Sequence, residues 1–268
     1  MIRSVLKRWI GGRRATPVED ELAAMIRRRR AADCYIPSPT CQVPGLTELY
    51  ERCFGFRREG VFVEVGAFDG EYVSNTSCLA DIGWRGLYVE PVPQFADRCR
   101  ARHAGNRAVT VAPYAVGEEE GQATIHLGGA LSTADAGVVQ LFKSLDWARH
   151  SHDGTTVTVP RTTLDRLLRE HAIEPEFDLL VIDVEGGEWS VLKPFDLAHW
   201  SPRMVIIELH DQNDQYLAIR DRCLAIVDYF ERHRYVVLYK DSTNTVYVRP
   251  DAAPAADGAA KREGASPA

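Results

Sequence analysis

Several features are missing from this chain of 268 residues, and each absence excludes a class of protein. No window approaches the ~20 consecutive apolar residues of a membrane-spanning helix. No two of the six cysteines (34, 41, 53, 78, 99 and 223) form a C-x-x-C pair, so zinc-site spacing is absent. The thiols are expected to be reduced and mostly buried. There is no basic excess: 32 Lys and Arg stand against 38 Asp and Glu, a net charge of −6. That balance argues against a nucleic-acid binder. Residues 1–10 mix charge with short apolar pieces and hold no continuous apolar stretch of a secretory leader. A cytoplasmic protein is expected.

What remains is an ordinary globular composition, 45% hydrophobic and 26% charged. The length suits one large α/β domain with appendages. We expect a basic N-terminal extension or lid over 1–55, a main domain over 56–250 and a disordered tail over 251–268. The tail is Ala/Pro/Gly-rich and cannot bury enough apolar surface to offset its ordering entropy. In the extension, Val5, Leu6, Trp9 and Ile10 could share a helix face, and a basic amphipathic segment can lie on an anionic membrane. A frayed terminus or lid is the favoured expectation, and Arg27 to Arg30 reads as a solvated face.

Strand and helix signals alternate through the middle of the chain. Strands are expected over 61–65, 86–90, 108–112, 123–127, 177–183 and 204–209, with a closing pair over 235–239 and 245–248. Helices are expected over 72–82, 93–103, 187–199 and 214–232. Thr162 or Thr163 should cap another that carries Leu164, Leu167 and Leu168. Residues 128–156 read as a glycine-rich, polar stretch. The alternation predicts a mostly parallel sheet covered on both faces, with an antiparallel edge.

Chemistry concentrates where strands end. Glu64-Val65-Gly66-Ala67-Phe68-Asp69-Gly70 turns the first strand into a helix, where open α/β sheets hold ligands. Its glycines are not the G-x-G-x-x-G of a dinucleotide site. Acids on both sides would repel a pyrophosphate but suit a ligand with cationic groups, such as S-adenosylmethionine. Glu90, ending the second strand, could accept both ribose hydroxyls. Asp183-Val184-Glu185-Gly186-Gly187-Glu188 puts three acids at the end of the fourth strand. Glu208 and His210 end the fifth on one side of the strand. His210 could be a general base, or could hold a divalent cation with Asp183. We favour the acid–base or substrate role and expect no metal.

In this order, Glu64 to Gly70, Tyr88-Val89-Glu90-Pro91, Ala115-Val116-Gly117, Thr163-Leu164-Asp165 and Asp183 to Glu188 resemble the FkbM family of S-adenosylmethionine-dependent methyltransferases. The resemblance covers residues 60–211 and extends toward 249. It implies a Rossmann-like class I methyltransferase fold with a seven-stranded, mostly parallel sheet, and O-methylation of a sugar, glycan or polyketide hydroxyl. It implies that Glu64, Gly66, Asp69 and Gly70, with Ala67 between them, bind the methionine part of S-adenosyl-L-methionine. Glu90 would take the ribose, and Tyr114-Ala115 would approach the adenine. Asp183, also a cofactor contact, and Glu185 would sit at the methyl-transfer centre. His210 or Asp183 would be the base and Glu185 would orient the acceptor. Gly187 departs mildly from the family pattern. The implied partner is a small-molecule or glycan acceptor rather than nucleic acid. A non-catalytic nucleotide- or sugar-binding module and an NAD-dependent oxidoreductase are the competing readings.

Overall fold

The computed structural model describes residues 17–252. The expected amphipathic face at Val5 to Ile10, and almost all of the expected tail, lie outside them. Two sheets carry the fold. The larger joins β1 (Val61–Val65), β2 (Arg85–Val89), β3 (Val109–Ala112), β7 (Leu179–Ile182), β8 (Met204–Glu208), β9 (Val236–Lys240) and β10 (Asn244–Val248) in the order β3-β2-β1-β7-β8-β10-β9. β10 runs antiparallel to both its neighbours. The odd strand therefore lies one place in from the edge, and β9 at the edge runs with the rest. The smaller sheet is β4 (Ala115–Val116), β6 (Thr156–Thr162) and β5 (Gly121–His126).

The central strands are short runs of Val, Ile, Leu and Phe, as strands covered on both faces must be. Alternation then sorts their side chains. Val63, Val65, Leu180, Ile182 and Ile207 join one core cluster, with α5 (Ala136–Ser144), α6 (Leu164–Glu170), α7 (Glu188–Leu192) and α9 (Arg220–Arg232). Phe62, Leu179, Val181 and Ile206 join another on the opposite face, with Tyr35, Tyr50 and Trp84. Residues 35–53 thus share a core with β1.

Four local expectations are corrected. The helix expected over 72–82 is only α3 (Ser77–Ile82). Asp69 Oδ1 accepts the Glu71 and Tyr72 amides, Thr40 Oγ1 takes that of Val73, and Ser74 Oγ takes those of Thr76 and Ser77. Side chains therefore compete with helix for this backbone, and Val73 holds a left-handed φ of 54°. The helix expected over 187–199 is split into α7 and α8 (Leu197–Trp200), with Pro194 between them. The segment 214–232 opens as a 3-10 helix, Asp214–Ile219, before α9. The polar stretch 128–156 contains α5, capped by Asp135, whose side chain accepts from Gly137 and Val138.

Arg27 to Arg30 is not a wholly solvated face. Arg29, on α1 (Pro17–Ala31), is 0% exposed. Its guanidinium donates to Asp81 of α3 at 2.7 Å and to Glu71 at 3.3 Å. Arg102 of α4 (Pro93–His103) binds the same two acids at 2.7 and 2.6 Å. All six cysteines are free, and Cys53, Cys78, Cys99 and Cys223 are buried. Among the described residues no helix is long and apolar enough to cross a membrane.

Candidate active site

The sheet order reverses between β1 and β7, and a cavity of about 780 Å³ opens at their carboxyl ends. The turn after β1 forms one wall. Gly66 sits at φ 92°, and a Cβ there would lie 1.6 Å from the Asp183 carbonyl oxygen, so only glycine fits. The Gly66 and Ala67 amides donate to the Val89 carbonyl, which ties the turn to β2.

Glu90 closes this end of the cavity. Its Oε2 accepts the Phe68 amide at 2.9 Å and its Oε1 the Val92 amide at 2.8 Å. Each oxygen keeps a lone pair for a further donor. Burial pushes the Glu90 carboxyl up to about 7, against the pull of those two amides. Phe68, Val92, Phe95, Tyr114 and Ala115 surround it, and Gln122 to His126 of β5 form the outer wall.

Gly66, Glu90, Ala115, Asp183 and Glu185 all line the cavity; Glu64, Ala67, Asp69 and Gly70 do not. Alternation explains Glu64. Val65 faces the cavity, so Glu64 points the other way. There Ser74 and Thr76 donate to its Oε2, and burial pushes the carboxyl up to about 8. Asp69 caps the turn from within, and Gly70, at φ 76°, leaves room for Cys99 and His103. These residues shape the turn from behind.

The far end of the cavity is acidic. Beyond β7, Glu185 and Gly186 take left-handed φ values of 55° and 88°. Glu188 Oε1 holds this loop by accepting the Val184 amide at 3.1 Å and the Gly186 amide at 3.0 Å. Arg222 ties Asp135 to the Gly186 carbonyl, and Thr133 Oγ1 donates to the Glu185 carbonyl. Sequence reasoning gave no role to Asp135, Arg222 or Phe68. The Asp135 cap ahead of Val138, Val139 and Phe142 was the available signal for the first.

Behind Asp183 stand Glu208 and His210, both buried, and neither lines the cavity. Glu208 Oε1 lies 3.2 Å from His210 Nε2. One carboxylate oxygen of Asp183 lies within 4.8 Å of one of Glu208. Burial, then the neighbouring carboxyls, raise Asp183, Glu185 and Glu208 well above the ordinary carboxylate range. Burial also lowers His210. Among the described residues, Asp183, Glu188 and Glu208 bring three carboxylate oxygens within 4.8 Å of one another. One oxygen of Glu188 is already spent on the Val184 and Gly186 amides.

The sequence profile of the Methyltransferase FkbM domain matches residues 64–237. Among curated proteins nothing matches the chain. Solved structures give distant likenesses. One is the O-methyltransferase from Bacillus cereus in complex with S-adenosylhomocysteine, at 15% identity over 93% of this chain and 100% of that one, with a TM-score of 0.45. Another is the O-methyltransferase TomG from Streptomyces achromogenes, involved in tomaymycin synthesis and solved with S-adenosylmethionine. It shows 14% identity over 88% and 90% of the two chains and a TM-score of 0.41.

Proposed function

This chain belongs to the FkbM methyltransferase family, and from that premise we propose that it binds S-adenosylmethionine in the cavity and methylates a hydroxyl of a sugar, glycan or polyketide-type acceptor. The observation that carries the reading is the cavity's two-ended chemistry. Glu90 offers two carboxylate oxygens at one end, and Asp183 and Glu185 line the other. The residues present fit the cofactor. Gly66 lets the turn after β1 pack against the Asp183 carbonyl, Glu90 suits a pair of ribose hydroxyls, and Asp183 and Glu185 line the other end, where the arginine nearby, Arg222, is paired with Asp135. When bound, the cofactor supplies an electrophilic methyl group on a sulfonium.

The chain's own contribution is alignment and proton removal. Alignment of two reactants in one site supplies up to ~7–11 kcal/mol of a barrier. The hydroxyl must also lose its proton, and Asp183, which lines the cavity, takes it when its own raised carboxyl is ionised. Glu185, pinned by its left-handed backbone and by Thr133, orients the acceptor.

The test is transfer from methyl-labelled S-adenosylmethionine to a panel of sugars, glycans and hydroxylated polyketides. The expected product is a base-stable methyl ether. Asp183→Asn should lower turnover by about 10²–10⁴-fold, the usual worth of a general base. Label found on an amine or carboxyl group, or full activity in Asp183→Asn, would contradict the reading.

A further inference from the structure

His210 stays behind the cavity, so β8 brings no imidazole to the acid end. β5 brings another. His126, its last residue, is half-buried and is the one histidine among the described residues that lines the cavity. Its backbone bridges to Thr133. The His126 amide donates to the Thr133 carbonyl at 2.8 Å, and the Thr133 amide donates to the His126 carbonyl at 3.1 Å. Residues opposite one another in an antiparallel pair carry their side chains on one face, with Cβ atoms ~4.5–5.5 Å apart. Thr133 is buried, and its Oγ1 donates to the Glu185 carbonyl at 2.8 Å. The His126 ring therefore stands on the face of β5 turned toward Glu185. Alternation sends Ile125 the other way, into the cluster of Val92, Phe95 and Ala115 at the ribose end.

The polar neighbours of His126 are already committed. Ser132 Oγ accepts the Gly128 amide at 3.0 Å and donates to the Gly129 carbonyl at 2.7 Å. Asp135 caps α5 and pairs with Arg222, which also donates to the Gly186 carbonyl. The His126 ring makes no hydrogen bond among the described residues. A neutral imidazole pairs one donor with one acceptor, as a hydroxyl does. An unspent ring beside the methyl-transfer acids is matched by a second hydroxyl on the acceptor.

We propose that His126 is a specificity-determining residue that binds a second acceptor hydroxyl, next to the one that is methylated, so that the acceptor is a vicinal diol rather than an isolated hydroxyl. The inference rests on the O-methylation reading above and narrows it. Asp183 and Glu185 engage the reacting hydroxyl, and His126, beside Glu185, holds its neighbour. Two anchors fix the acceptor in both place and angle, which is the alignment that methyl transfer requires. An acceptor without the second hydroxyl leaves the imidazole unpaired and is selected against. No covalent bond forms or breaks at His126.

The experiment compares the full-length wild type with His126→Ala and His126→Gln, using methyl-labelled S-adenosylmethionine. The acceptors are methyl glycosides of hexoses and the same glycosides lacking one hydroxyl. The bridge to Thr133 is made by backbone, so both variants should keep the affinity of the wild type for S-adenosylmethionine. The wild type should prefer the intact glycoside by at least about tenfold in kcat/KM. His126→Ala should lose that preference through a higher KM, and His126→Gln, which keeps a donor and an acceptor, should recover part of it. A preference undiminished in His126→Ala, or absent from the wild type, would overturn the proposal. A second measurement needs neither turnover nor a variant. With S-adenosylhomocysteine bound, the ¹⁵N ring signals of His126 should move on titration with the methyl glycosides and stay still with cyclohexanol. Signals that move with neither, or with both alike, would also overturn it. Failure to label any glycoside while the His126 signals move refutes the O-methylation reading alone; labelled hydroxyls without discrimination refute the role of His126 alone.

Discussion

Single side chains decide what this site can hold. Gly66 is the clearest case. In Gly66→Ala the left-handed backbone costs ~1–2 kcal/mol, and the new methyl would press into the Asp183 carbonyl just after β7. The expected outcome is a lower melting temperature and at least about tenfold weaker cofactor affinity, since 1.4 kcal/mol is a factor of ten. Glu64 makes a second prediction, with its sign fixed by linkage. Its carboxyl titrates at about 8 in the folded chain and at the ordinary 4.5 in the unfolded one. The folded state therefore holds the extra proton between those values, and the stability this confers fades as pH rises through 8. Glu64→Gln should remove that loss, so the variant should gain on the wild type from pH 5 to pH 8. The gain is on the order of 1 kcal/mol per unit of pH within that window. Comparing variant with wild type cancels the opposite contribution of His103, which burial lowers to about 3. Parallel melting curves at pH 5 and 8 would contradict the assignment.

At the scale of elements, the buried ion network joins α1, α3, α4 and the turn after β1. Arg29 and Arg102 clamp Asp81 and Glu71, and Glu71 follows the cofactor turn directly. Arg102 still holds both acids, so Arg29→Ala should be destabilising in denaturant unfolding by less than the ~3–5 kcal/mol of a fully stranded buried charge. Arg29→Lys should recover only part of this, because an ammonium lacks the guanidinium fork. An alanine variant as stable as the wild type would show that α1 adds nothing to the body. Legibility also differs by element. β1 and β2 were readable because buried parallel strands are apolar runs, and α4 because Pro93 opens it. The false start at 72 was not readable, since the residues that capture those amides include Thr40, far away in sequence. The helix α5 was hidden by its glycine-rich, polar flanks.

For the whole molecule, the strand order places β1 beside β7, and this brings Glu90 and Asp183 to one cavity from positions 93 apart in sequence. The strand-end acids were visible in the sequence. Which way each points was half visible: alternation along β1 sends Glu64 away once Val65 faces the ligand. The grouping of Asp183, Glu208 and His210 was visible as neighbouring strand ends; that His210 stays behind the cavity was not, because it depends on β7 and β8 ending level and on the turn that brings Ser242 to the imidazole. The central claim is that this cavity binds S-adenosylmethionine with Glu90 on the ribose. Calorimetric titration of the full chain with S-adenosylmethionine, beside Glu90→Ala and with NAD as the control ligand, tests it most directly. The account predicts one site per chain, at least about tenfold weaker in Glu90→Ala, and no binding of NAD. Equal affinity in the variant, or binding of NAD in place of S-adenosylmethionine, would contradict it.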